Sequence, residues 1–342
     1  MGEFPAQSGK KGFARYAWLV LAYDVLVILW GTVVRATGSG AGCGDHWPLC
    51  GGQVIPHQAQ IATLIEFAHR LTSALAVALV VVLVYLALRR FSKGHAARRY
   101  AWAALFFTLT EGLIGAALVL LGDTGQNVSI SRVVVLSFHL VNTFLLLASV
   151  ALAASSASSV NATPSLSPPR DPGAPPRARS RGLIVAYAAG FVGTLALAVT
   201  GTIAALADTL FHATSLSQAF GSDFSAGSSP LLRLRLIHPA IAVVVGSYLI
   251  VLAFYELMIP SPRRVKRIAA FLGCLVLVQF FLGMLNVLLL TPLPVQLLHL
   301  LTADLIWITL VLLAHAVLAR QAARATVHLP GAVPAMASQT PV

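Results

Sequence analysis

Eight stretches of this chain are each apolar enough, over roughly 20 residues, to cross a bilayer as a helix, and that leaves few folds open. They lie near 16–36, 61–88, 100–121, 133–153, 182–207, 232–257, 268–290 and 295–319. Of the 342 residues, 58% are hydrophobic and only 10% charged. Mean hydropathy is +0.84. A soluble globule of that composition would lack a polar cover. The expected fold class is all-α integral membrane, with eight transmembrane helices. Met1 to Arg15 reads as neither a transit peptide nor a cleaved signal.

The net charge of +12 sits in alternate loops. Lys10, Lys11 and Arg15 precede the first span. Arg89, Arg90, Lys93, Arg98 and Arg99 follow the second, and Arg170, Arg177, Arg179 and Arg181 follow the fourth. Arg263, Arg264, Lys266 and Arg267 follow the sixth, and Arg320 and Arg324 the eighth. By the positive-inside rule both termini are cytoplasmic. The basic charge thus reports orientation in the membrane and not nucleic-acid binding.

The chain repeats itself. Gly31-Thr32 matches Gly201-Thr202, His69 matches His238, Glu111-xxx-Gly115 matches Gln279-xxx-Gly283, and His139 matches His299. These matches keep their order and nearly constant spacing, as expected of a parallel repeat. The expected architecture is two pseudo-symmetric four-helix bundles, residues 1–153 and 182–320. A Pro/Ser-rich cytoplasmic linker, 154–181, joins them, and a disordered tail, 321–342, follows.

His69, His139, His238 and His299 fall on spans two, four, six and eight, each about 6–12 Å in from the outer side at 1.5 Å rise per residue. Two imidazoles from facing helices in each half are the arrangement that ligates haem iron. A lone membrane histidine more often hydrogen-bonds a neighbouring helix, but four at matched depth in repeat-related positions favour the metal. Zinc fits poorly, because no carboxylate or thiolate completes a tetrahedral set in both halves. Three residues before the histidine, the first half has Glu66 and the second Arg235. A carboxylate beside a haem edge can take a proton or stabilise positive charge, whereas an arginine there can hold a propionate. The bland alternative pairs Glu66 with Arg70 or Arg35 in a structural network. Arg35, at the end of the first span, is placed either at the propionates of the first haem or at the interface as a snorkelling side chain. Asp24, Glu111 and Asp304 also lie within spans, with structural and proton-carrying roles both open.

Cys43 and Cys50 flank Gly-Asp-His-Trp-Pro-Leu in the first outer loop. A structural disulfide is favoured there over a thiol role in redox chemistry or haem handling. Cys274 is read as a small core residue. Gly115, Gly201 and Gly283 are read as permitting close approach of a helix or haem.

The run Thr32-Val-Val-Arg35-Ala-Thr-Gly-Ser-Gly-Ala-Gly-Cys43-Gly-Asp-His-Trp47-Pro-Leu-Cys50, followed by Glu66-Phe-Ala-His69-Arg70, resembles the heme A synthase family. The resemblance is most specific in the first two spans and extends through the histidines and the repeat. It implies an oxidoreductase that converts heme O to heme A, turning a ring methyl into a formyl group by successive hydroxylations, for cytochrome oxidase assembly. It implies Glu66 as the catalytic carboxylate and the substrate haem at His69 and His139, with Arg35 beside it. It also implies a resident haem b on His238 and His299, with Arg235 beside it, and matches Cys43 and Cys50 to a cysteine pair found in many members. Implied partners are a heme O synthase, cytochrome oxidase assembly factors and an unidentified electron partner, in the lipid of a bacterial plasma membrane, with homo-oligomerisation open and no nucleic acid. Two features depart from the family pattern: Glu111 where Gln is more usual, and a longer linker. Two rival functions remain at this point, a di-haem cytochrome b electron carrier and a haem transport or chaperone protein.

Overall fold

A computed structural model of the protein describes residues 4–57, 60–158, 181–225, 227 and 229–326. Its helices are α1 (Phe4–Ala36), α2 (Ile61–Arg90), α3 (Ala96–Leu120), α4 (Ile130–Ser158) and α5 (Arg181–Leu210). They continue with α6 (Leu216–Phe224), α7 (Pro230–Arg235), α8 (Ile237–Met258), α9 (Arg263–Leu288) and α10 (Leu293–Thr326). Among the described residues there is no strand, only an isolated bridge between Cys50 and Gln53. Eight spans are long and apolar enough to cross a membrane, with α7 and α8 together forming the sixth, Pro230–Met258. The protein is a multi-pass membrane protein.

Local signals set several helix starts. Ser129 Oγ accepts from the Arg132 N–H at 3.1 Å as α4 begins, and Ser229 caps α7 with Pro230 behind it. The sixth span is not the continuous helix that the sequence suggests. It breaks at Leu236, so Arg235 ends α7 and His238 lies in the first turn of α8. The cause is Pro239, which has no N–H to donate and whose ring clashes with the carbonyl four residues earlier, that of Arg235. Arg235 therefore does not share one helix with His238 as Glu66 does with His69.

The helices also run past their expected ends. α4 reaches Ser158, with Ala154, Ser155, Ser156 and Ala157 buried; small side chains of this kind let helices approach closely. Of the expected linker, 159–180 lie outside the described residues, as do 327–342 of the expected tail.

α4 packs on α1 and α3, and α2 on α1 and α3; in the other half α9 packs on α8 and α10, and α5 on α7 and α8. The two sets meet where α4 touches α5 and α10 and where α1 touches α10. Trp307 of α10 fastens this junction: its Nε1 donates to the Phe144 carbonyl at 2.6 Å, and its ring stacks on that of Phe144. Trp307, Ile308 and Val311 thus belong to the core of the first set although their helix closes the second. Cys274 corrects its sequence reading, because it is exposed. Val265, Ala269, Leu272 and Val276 occupy the buried face of α9, and position 274 falls off it.

Candidate functional site

Each of the four histidines faces a glycine on the preceding long helix of its half. A Cβ added at Gly31 of α1 would stand 3.1 Å from His69 Cε1, and one at Gly201 of α5 only 2.9 Å from His238 Cε1. Gly115 of α3 meets His139 at 3.7 Å, and Gly283 of α9 meets His299 at 3.4 Å. The glycine matches of the sequence repeat are thus the surfaces against which the imidazoles lie.

All four imidazoles line one continuous cavity of about 1640 Å³ that runs through both sets of helices. That exceeds the roughly 300–1,000 Å³ of a site for one drug-sized ligand. Gly31, Gly115, Gly201 and Gly283 line it too.

The imidazoles differ in their partners. His139 Nδ1 lies 2.6 Å from Glu111 Oε1. Asn142 Nδ2 donates to Glu111 Oε2 at 2.5 Å, and Thr143 Oγ1 donates to Oε1. In the second half Gln279 Nε2 lies 3.2 Å from His299 Nε2, and Thr200 Oγ1 lies 3.2 Å from His238 Nδ1. Nδ1 of both His69 and His299 is buried without a hydrogen-bond partner.

Glu66 is buried and fully engaged. Its Oε2 accepts from the Cys43 N–H at 2.8 Å, and its Oε1 from Arg70 Nε at 3.1 Å and Nη2 at 2.5 Å. Arg70 Nη1 in turn donates to the carbonyls of His46, at 2.6 Å, and Leu49, at 2.7 Å. Cys43 and Cys50 are joined in a disulfide. Gly42 lies so close to α2 that a Cβ there would stand 2.6 Å from Ala62 backbone atoms, and Thr63 Oγ1 donates to its carbonyl at 2.7 Å. The pairing of Glu66 with Arg70, weighed as the structural alternative, is therefore present, while Glu66 and Arg70 also line the cavity. Trp47, Pro48, Val54 and Ile55 of the same loop line it beside them.

Arg35 does not snorkel to an interface; it is turned into the protein. It spans the junction between the halves, donating to the Ala205 carbonyl (2.7 Å), Thr209 Oγ1 (2.5 Å) and Gln296 Oε1 (2.9 Å). Arg235 is held by two carboxylates, Asp208 at 2.7 Å and Asp223 at 2.5 Å. Both arginines line the cavity.

Sequence reasoning missed Arg132, a buried cation in the cavity wall whose Nη1 donates to the Gly125 and Asn127 carbonyls. Its signal was an arginine beside an outer loop otherwise poor in basic residues. His212 lines the cavity too. Asp24 also lines it, and both of its oxygens are buried without a hydrogen-bond partner. Asp304 is likewise buried and unpartnered.

A family model described as cytochrome oxidase assembly protein, COX15-CtaA, matches residues 14–311 and so takes in every element of this site. The chain belongs to the COX15-CtaA family. Among curated proteins it is 46% identical over 313 residues to a protein of Thermus thermophilus named protoheme IX farnesyltransferase, covering 91% of this chain but 49% of that protein. It is 39% identical over 100 residues to a heme A synthase of Alkalihalophilus pseudofirmus, covering 29% of this chain and 34% of that protein. A heme A synthase of Halalkalibacterium halodurans is 41% identical over 100 residues. The chain spans about half the length, or less, of these curated relatives. Membership in the COX15-CtaA family accords with the eight spans and with a place in the bacterial plasma membrane.

Proposed function

We propose that the chain is a heme A synthase, oxidising one ring methyl of heme O to a formyl group for cytochrome oxidase assembly. Each hydroxylation would add one oxygen to the methyl carbon and withdraw two electrons, passed to an external oxidant; the second gives a geminal diol, which loses water to leave the aldehyde. The observation that carries this reading is an asymmetry across one cavity. Two glycine-backed imidazole pairs repeat, but the acids do not: the second half's cavity-lining carboxylates, Asp208 and Asp223, stand at other positions and are both bonded to Arg235. Asp24, Glu66 and Glu111 line the first half's side, and the repeat-related positions hold Thr194, Arg235 and Gln279. An electron carrier has no use for different groups at equivalent places.

The residues fit haem. Glycine behind each imidazole lets the ring lie flat against the helix and face the cavity, and Nδ1 of His69 and of His299 is buried with no hydrogen-bond partner. In this reading residues 1–153 receive heme O at His69 and His139, and residues 182–320 hold haem b at His238 and His299. Iron in such a site supplies one-electron and oxygen chemistry. Glu66 is the catalytic carboxylate in this reading: Arg70 and the Cys43 N–H fix it at the cavity wall, where it would take up a proton or offset developing positive charge. Arg35, whose partners are neutral acceptors, keeps a charge to offer a propionate; Arg235, already neutralised by Asp208 and Asp223, serves better as a clamp on α5 and α6. Both termini lie on the cytoplasmic side, with the disulfide loop outside.

The heme A synthase relatives support this reading. The Thermus relative, only half of which this chain matches, supports a link to farnesyl transfer on protohaem, the class of reaction that supplies heme O. The test is to express the full chain with a heme O source and extract the haems. Heme A should appear, and Glu66→Ala should abolish it while haem b is retained. Haem b alone, cycling between oxidation states without conversion, would overturn the proposal in favour of an electron carrier.

A further inference from the structure

We infer that Glu111 is a positioning residue that strengthens His139 as an iron ligand, so that the iron of the first half has a lower reduction potential than that of the second. The inference rests on the haem ligation proposed above. His139 Nδ1 donates to Glu111 Oε1 across 2.6 Å, which leaves Nε2, the nitrogen facing Gly115, as the one available to a metal. A carboxylate on the far nitrogen of a ligating imidazole fixes its tautomer and raises its basicity. A more basic axial ligand favours the ferric state and lowers the potential.

The carboxylate is built in. Asn142 and Thr143, one turn along α4 from His139, both donate to Glu111. In the registry that aligns His139 with His299, these positions become Thr302 and Ala303, and Glu111 becomes Gln279. Thr302 Oγ1 is turned to the Leu298 carbonyl at 2.8 Å. Gln279, an amide, approaches Nε2 of His299 and not Nδ1. The second half therefore lacks the acid, its two supporting donors and its contact with the far nitrogen. Cavity wall, histidine and glycine repeat between the halves, and this cradle does not.

The consequence for function is directional. With the first iron lower in potential, an electron placed there passes readily to the second half, which suits a substrate site that must be oxidised and a partner site that receives electrons.

The test uses the full chain loaded with protohaem as probe, titrated by spectroelectrochemistry. Wild type should give two one-electron waves. Glu111→Gln, which introduces the amide that the second half already tolerates, should raise the lower wave and leave the upper one in place. Losing such a partner weakens metal binding roughly 10–100-fold, and each tenfold loss of ferric over ferrous affinity moves the wave up by about 59 mV. Glu111→Asp should recover part of the shift. If His139→Ala removes one wave but Glu111→Gln moves neither, the inference fails and the ligation stands. Should His139→Ala remove no wave, the ligation reading fails and the inference with it.

Discussion

The backbone N–H of Cys43 donates to Glu66 Oε2 at 2.8 Å, so the buried acid of α2 and the disulfide loop form one unit. Arg70 completes it by holding the other carboxylate oxygen and two loop carbonyls. Chemistry at Glu66 and the seating of the loop over the cavity cannot be perturbed separately by removing the side chain. Glu66→Gln separates them, because the amide oxygen still accepts from Cys43 while the charge is lost. Formyl product should fall by about 10²–10⁴-fold with the loop still seated, and Glu66→Ala should lose product and loosen the loop. Haem extraction and protease sensitivity of the loop report the two effects independently.

Arg70→Ala should release the His46 and Leu49 carbonyls and strand a buried carboxylate. Breaking one side of such a pair costs about 3–5 kcal/mol. Amide exchange should rise across 43–57 and remain unchanged in α9.

Glycine-to-alanine substitutions should grade by contact distance. Gly201→Ala, with its methyl 2.9 Å from His238, should lower haem content most, and Gly31→Ala, at 3.1 Å, somewhat less. Gly115→Ala, at 3.7 Å, should be tolerated. Haem-to-protein ratios on purified chain give the order; equal losses at all three would refute a steric cause.

His95 offers a pH readout outside the spans. Its Nδ1 caps α3 by accepting from the Ala97 N–H at 3.1 Å, and its ring stacks on Phe91. Burial, then the charge of Lys10, lowers its pKa from the usual 6.5. The folded state binds this proton less tightly than the unfolded state, so the cap contributes fully above pH 6.5 and is lost as pH falls towards the lowered value. Amide exchange in the first turn of α3 should therefore quicken on acidification, and the His95→Asn variant should lose that dependence.

The fold was legible where one helix sufficed to state it. All eight spans follow from hydropathy, and the matched glycines and histidines lie against one another as the repeat implied. Contacts between helices of different halves were not legible. Nothing local says that Arg35 reaches Ala205, Thr209 and Gln296; even within the first half, the meeting of Glu111 of α3 with His139 of α4 was hidden, since side-chain direction across a packed interface depends on helix rotation. The break at Leu236 had its signal in Pro239, which hydropathy averaged away.

Arg35 has a last consequence. It begins in one repeat and is satisfied wholly by the other, and its repeat-related partner cannot return the gesture. Split genes, swapped halves or a free-standing first half would leave a guanidinium without these acceptors, so part of the first repeat's stability is supplied only by the intact chain.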